Sequence, residues 1–171
     1  MPRINIIQGE YHVSAEPEVL IGTLLGSCIA ICLHDAVARV GGMNHFLLGE
    51  PGRNDRVRDA DLSRYGVHAM ELLVNEMMKK GALRSRLRAH LYGGANIVAG
   101  LGQIGSANAA FAKSFVAVEG IALGRAELGG SQARRVEFMP YLGKVRSWTV
   151  ADAVPSLPAV KDSAGGELEM F

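Results

Sequence analysis

An excess of charge of either sign is what this chain most lacks: 18 Lys and Arg stand against 17 Asp and Glu, leaving +1 over 171 residues. No basic field favours nucleic acid, and no acidic excess favours disorder. Cysteine is nearly absent too, with two in the chain, which excludes a disulfide framework. No Cys-x-x-Cys or His-x-x-x-His pair accompanies them, so the grouped ligands of a structural zinc site are missing. No run of about 18 apolar residues occurs, which excludes insertion into a membrane as a spanning helix. The start, Met1-Pro-Arg-Ile-Asn-Ile-Ile7, is too short an apolar run for a signal peptide, and with so few cysteines it predicts a cytoplasmic protein. The glycine-rich stretches Tyr92 to Asn96 and Gly100 to Gly105 lack a Lys-Ser/Thr ending and a strand-to-helix fingerprint, which excludes nucleotide binding.

What is present is an ordinary globular composition, 49% hydrophobic and 20% charged, long enough for one domain with a substantial core. Apolar patterning predicts strands at Ile4 to Gln8, near Val19 to Leu24, on both arms of a hairpin from Cys28 to Leu48, and at Leu87 to Tyr92, Ile121 to Glu127, Arg134 to Met139 and Lys144 to Val150. Two helices stand out. The first covers Tyr65 to Lys80 with Val67, Met70, Val74 and Met77 on one face and Gly81 as its stop; the second covers Ala107 to Val118 with Ala107, Phe111, Phe115 and Val118 inward. The order is α+β. Arg84, Arg86 and Arg88 alternate on a strand with Leu83, Leu87 and Leu91, which reads as a solvated face or else as a basic stripe for an acidic partner surface. Residues 1–153 form the single domain, and Pro155, Pro158, Gly165 and Gly166 mark 154–171 as a flexible C-terminal tail ending in a short segment, Leu168 to Phe171, suited to docking.

Chemistry points to Cys28 and His45. In Gly22-Thr-Leu-Leu-Gly-Ser-Cys-Ile-Ala-Ile-Cys-Leu33 the apolar residues continue into a strand, Asp35-Ala-Val-Ala38 interrupts it, and Gly41-Gly-Met-Asn-His45 lies on the return arm. A turn centred between Ala36 and Val37 sets Cys28 directly opposite His45, where cross-strand side chains share a face. Most cysteines in apolar strands are small buried hydrophobes, and Cys32 reads as one. Cys28 differs, because Gly26-Ser27 lets the backbone turn sharply and leaves room for another molecule to reach the sulfur. His12, His34, His68 and His90 have no comparable partner. On one strand, Cys28 and Cys32 are separated by about 13 Å, beyond the roughly 7 Å limit for a disulfide.

These residues resemble a known family. Thr23-Leu-Leu-Gly-Ser-Cys28 followed by Gly41-Gly-Met-Asn-His45 is similar to the signature of the CheD chemoreceptor glutamine deamidases. Arg64-Tyr-Gly66 with Ala69-Met70, Tyr92 to Asn96, Ile104-Gly105 with Asn108, and Gly129-Gly130 leading into Arg134-Arg-Val136 extend the resemblance over residues 8 to 146. It implies a layered α/β sandwich of mixed, mainly antiparallel β-sheet with two main helices. It implies a cysteine hydrolase, free of cofactors, that converts glutamines of methyl-accepting chemotaxis receptors to glutamate with release of ammonia. The implied catalytic residues are Cys28, His45 and a hydroxyl residue before the cysteine, Thr23 by nearest match, with Ser27 as the alternative. A CheC-type phosphatase is an implied partner.

The implied chemistry suits the residue types. A carboxamide is a poor electrophile, and a thiol nucleophile splits its hydrolysis into formation and breakdown of a thioester, with His45 as base and acid and backbone N–H groups around Gly26 to Cys28 as oxyanion donors. The same acyl-enzyme would form from a glutamyl methyl ester, and a non-enzymatic regulator of the phosphatase or the receptor is the reading from a different class. Two departures stand out: Gly105-Ser-Ala-Asn108 lacks the arginine usual before the asparagine, and Ala133 stands where glycine is frequent. Asn108 itself also reads as the N-cap of the second helix.

Overall fold

The computed structural model describes residues 2–48, 59–97, 103–151 and 167–170, with side chains described from Arg64 onward in the first helix and not at all in 167–170. Two five-stranded sheets and two helices make up these residues. The first sheet has the order β1 (Arg3–Asn5), β3 (Leu20–Leu25), β8 (Ala133–Met139), β9 (Lys144–Val150), β10 (Glu167–Met170). The second has the order β2 (Tyr11–Ser14), β5 (Val40–Asn44), β4 (Ile29–Asp35), β6 (Arg88–Gly93), β7 (Ala122–Leu128). Among the described residues only β1/β3 and β6/β7 pair in parallel, so the sheets are mixed and mainly antiparallel. Helices α1 (Asp59–Lys79) and α2 (Ile104–Val118) cover the second sheet, giving the α+β layered sandwich expected from the sequence.

Two apolar layers result. Ile29, Ile31, Leu33 and Phe46 face Met70, Leu73, Met77 and Phe115 of the helices. Cys28, Ala30, Cys32, Met43 and Leu47 face Ile21, Leu25, Val136, Phe138 and Val145 of the first sheet. Strand β4 is therefore buried at every residue, which explains why its run is apolar without alternation.

Several element readings need correction. The chain forms β2 where no strand was expected, and β10 adds Glu167–Met170 of the C-terminal segment to the edge of the first sheet; residues 152–166 lie outside the described residues. Helix α1 begins before Tyr65, and its end follows the expected stop, with Gly81 at φ 103° and the Ala82 N–H donating to Met77 O. Helix α2 begins at Ile104 with Gln103 as its N-cap, so Asn108 is inside the helix. Its inward face is Gly105, Asn108, Ala112, Phe115 and Val116, while Val118 is 78% exposed. The rotation follows from Gly105: a Cβ there would stand 2.2 Å from Ala95 O, so only glycine lets the first turn of α2 lie on the loop after β6. The arginine stripe is not a strand face either, since Arg84–Arg86 forms a 3-10 turn and Arg86 pairs with buried Asp35. Among the described residues no helix is long and apolar enough to cross a membrane.

Candidate active site

The hairpin that carries Cys28 and His45 has a different register from the expected one. Asp35 pairs with Val40, Leu33 with Gly42 and Cys32 with Met43, and the isolated bridge Ile29 to Phe46 keeps the same count. The turn is thus a residue further on, with Arg39 at φ 57° and Arg39 N–H donating 2.8 Å to Asp35 O. Cys28 stands opposite Leu47 rather than His45. The displacement is two residues, which preserves the face: Cys28 and His45 both point into the layer between the sheets, on a diagonal that long side chains can span. Asn44 marks an irregularity beside His45, because Ile31 N–H donates 3.1 Å to its side-chain Oδ1 where a backbone bond would stand.

Strand β3 brings in Thr23 from the facing sheet. It alternates with Ile21 and Leu25, all three buried, so its hydroxyl points at the second sheet. Thr23 Oγ1 lies 2.7 Å from His45 Nδ1 and 2.7 Å from Ile6 O. The hydroxyl has one hydrogen, and a carbonyl oxygen can only accept. Thr23 therefore donates to Ile6 O and accepts from His45 Nδ1–H, which assigns the tautomer and leaves Nε2 with its lone pair. The main chain of His45 is fixed as well, its N–H donating 3.0 Å to Glu10 O and its carbonyl accepting 2.8 Å from Gly9 N–H. The turn from Ile6 to Glu10 thus holds His45 through both Thr23 and its own backbone. Sequence reasoning missed this turn; Gly9, at φ 90°, was its one readable signal.

Cys28 terminates a turn whose carbonyls are all occupied. Gly26 O accepts from Ala95 N–H at 3.1 Å, Ser27 O from Asn108 Nδ2 at 2.8 Å, and Cys28 O from Gly94 N–H at 2.8 Å. Among the described residues no hydrogen bond is made by the N–H of Ser27 or Cys28. The thiol donates a long bond, 3.9 Å, to Gln8 Oε1. Cys28 keeps 9% of its surface exposed, whereas Cys32 keeps 0%, packed in the inter-sheet layer, and both are free thiols.

Burial governs the protonation of the pair. It pushes the Cys28 thiol up to about 11 and His45 down to about 4, the latter opposed in part by the charge of Glu10. At neutral pH the two are a neutral thiol and a neutral imidazole. Among the described residues no hydrogen bond joins the Cys28 thiol to the His45 ring; a neutral pair of this kind, once brought into contact, passes the proton from sulfur to Nε2 as a bond forms at sulfur, without a standing thiolate. A pocket of about 100 Å³ between α1 and the His45 strand is lined by Glu10, Tyr11, His45, Tyr65, His68 and Leu72. Among the described residues no three His, Cys, Asp or Glu side chains group closely enough to hold a metal ion.

Comparison with known proteins adds a lineage to this geometry. The model of the family described as CheD chemotactic sensory transduction matches residues 47–149. A probable chemoreceptor glutamine deamidase CheD of Zymomonas mobilis is 52% identical over 165 residues, 95% of this chain and 90% of that one. One of the same name from a Caulobacter species is 49% identical over 176 residues, 99% of this chain and 93% of its own. Among solved structures, Neisseria meningitidis protein NMB0706 is similar at a TM-score of 0.47 and 11% identity over 77% of this chain and 63% of that chain, too distant to bear on function. Thr23, Cys28 and His45 precede the family-model match and fall within the longer span shared with the Caulobacter relative.

Proposed function

The chain belongs to the CheD family, and from that premise we propose that it is a protein-glutamine deamidase of chemotaxis receptors, with Cys28 as nucleophile, His45 as general base and acid, and Thr23 as the group that orients His45. The observation that carries the residue roles is the Thr23 hydroxyl committed to Ile6 O, because it leaves His45 Nε2 unprotonated on the face that Cys28 shares. The receptor's cytoplasmic portion is the substrate, met on the cytoplasmic side.

The steps follow from these atoms. Sγ attacks the carboxamide carbon as Nε2 takes the thiol proton, and the carbonyl oxygen becomes an oxyanion facing the N–H groups of Ser27 and Cys28. Collapse breaks the C–N bond. The imidazolium gives its proton to the departing nitrogen, which leaves as ammonia, and a thioester remains. Water then attacks the thioester carbon while Nε2 takes its proton, the C–S bond breaks, and sulfur recovers that proton as glutamate is released. Because His45 sits near pKa 4 when free, the imidazolium exists only while negative charge on oxygen or sulfur sustains it.

Incubation with a receptor cytoplasmic fragment, read by mass spectrometry and by ammonia release, tests the proposal. Conversion of discrete glutamines to glutamate by the wild-type chain and none by Cys28→Ala is the expected result. A receptor fragment left unchanged by folded wild type would falsify it.

A further inference from the structure

We propose that Asn108 is a positioning residue that aims the backbone N–H of Cys28 at the oxyanion. The inference rests on the reading of Cys28 as the nucleophile and names a residue that the reaction needs although it never touches the reacting atoms.

Asn108 sits in the second turn of α2 and is 1% exposed. Asparagine is a poor helix-interior residue, and here it does not cap the helix, so its presence calls for a tertiary reason. Both halves of its amide are used. Nδ2 donates 2.8 Å to Ser27 O, directly before Cys28, and Oδ1 accepts 3.0 Å from Leu48 N–H, just past His45. Ser27 O can only accept and Leu48 N–H can only donate, so the side chain must carry one donor and one acceptor at that separation. Leucine of similar size supplies neither, and aspartate supplies no donor.

The consequence lies in the peptide plane. Ser27 C=O and Cys28 N–H belong to one planar unit, and the chain has no cis peptide among its described residues, so the two groups point in opposite directions. Holding Ser27 O toward α2 therefore holds Cys28 N–H away from it. The neighbouring plane is set likewise, with Gly26 O held by Ala95 N–H and Ser27 N–H directed the other way. Of the three bonds that fix this turn, two come from backbone on the loop after β6, and Asn108 supplies the third from a side chain. It is the one a substitution can remove without altering the loop.

The test compares Asn108→Asp, Asn108→Ala and Val116→Ala, the last a buried core residue of the same helix away from the site. Ammonia release from the receptor fragment, measured well below each melting temperature, is expected to show kcat lowered about 100-fold in both Asn108 variants with KM within threefold. Val116→Ala lowers the melting temperature and leaves kcat within threefold. Asn108→Asp is the deciding variant, because it keeps an acceptor for Leu48 N–H: near-wild-type kcat there overturns the proposal, as does an equal loss in Val116→Ala. An inactive wild type overturns the deamidase reading and this inference together, whereas an active wild type with an active Asn108→Asp overturns the inference alone. Should the Asn108 variants not fold, the wild-type chain decides the matter by NMR with a peptide carrying an aldehyde in place of the glutamine carboxamide. The Cys28 amide proton moves downfield as the thiohemiacetal forms, and failure to move downfield overturns the proposal.

Discussion

The two ends of the β4–β5 hairpin bury polar side chains to opposite effect. At the turn end Asp35, 0% exposed, accepts from Val37 N–H at 2.9 Å, Ala38 N–H at 3.0 Å and Leu83 N–H at 2.9 Å, and from Arg86 Nε at 2.9 Å. Burial opposes its ionisation, but the bonds from Ala38, Leu83, Arg86 and Val37 outweigh it, and the carboxyl is held below its ordinary value. At the other end, among the described residues, His45 uses one ring nitrogen and the Cys28 thiol makes only the long bond to Gln8, so burial prevails and both stay neutral. Saturated valence stabilises the fold at one end, and unspent valence makes chemistry available at the other.

Deleting a group from each end separates these roles. With Cys28 as the proposed nucleophile, Cys28→Ala is expected to lower ammonia release at least about 10⁴-fold, while urea unfolding stays within about 1 kcal/mol of wild type. Asp35→Ala is expected to behave in the reverse way. It leaves Arg86 and three N–H groups without their acceptor and costs about 3 kcal/mol of stability, with kcat per folded molecule unchanged below the melting transition. Equal damage to activity from both substitutions would erase the distinction between the ends.

How far the sequence reveals this molecule depends on what each residue's signal averages over. The alternation of Ile21, Thr23 and Leu25 and the run from Ile29 to Leu33 are local, and they locate β3 and β4 within a residue or so. The hairpin register was misplaced because Asp35-Ala-Val-Ala-Arg39 contains no glycine and closes instead with Arg39 in the left-handed region, held by Asp35. The error was even, so the shared face of Cys28 and His45 stayed legible; an odd error would have put them in different layers. Strand β2 was not legible. Its partner β5 is glycine-rich, and its pairing depends on long-range contacts that Tyr11-His-Val-Ser14 does not announce. The cap reading of Asn108 fails because a cap and a tertiary clamp call for the same side chain and differ only in what lies across from it.

Acid should dismantle the two ends in sequence. The folded His45 sits near 4 against 6.5 for an exposed histidine, so between those values the unfolded chain binds more protons and stability falls as pH falls. The loss reaches up to about 3 kcal/mol near pH 4 and then levels off. His90, lowered to about 4 chiefly by burial, adds to the same window. Asp35 acts in the same direction over a lower window: its contribution is full above the ordinary carboxyl value of 3.8 and is lost as pH falls from there through its lower folded value. Urea midpoints of wild type and His45→Gln across this range check the order. The variant should lose part of the first decline and none of the second; identical curves would mean that His45 is not the buried neutral group described.

Thr23 gives the smallest effect and the finest discrimination. Its hydroxyl does for His45 what the backbone and Arg86 do for Asp35, but with a single bond, so its removal should perturb orientation rather than folding. In Thr23→Val the shape is nearly kept, Ile6 O loses its donor and His45 Nδ1–H loses its acceptor, and the imidazole is free to carry its proton on Nε2 instead. That tautomer cannot accept the thiol proton. A hydroxyl–imidazole bond is worth about 1 kcal/mol, so kcat should fall about 5-fold with KM little changed, far less than when a carboxylate is removed from a serine protease triad. Thr23→Ser restores the hydroxyl and should recover most of the rate. A fall in Thr23→Val that Thr23→Ser does not recover would assign Thr23 to packing between the sheets, like Ile21 and Leu25 beside it, and would leave the orientation of His45 to the Gly9 and Glu10 backbone alone.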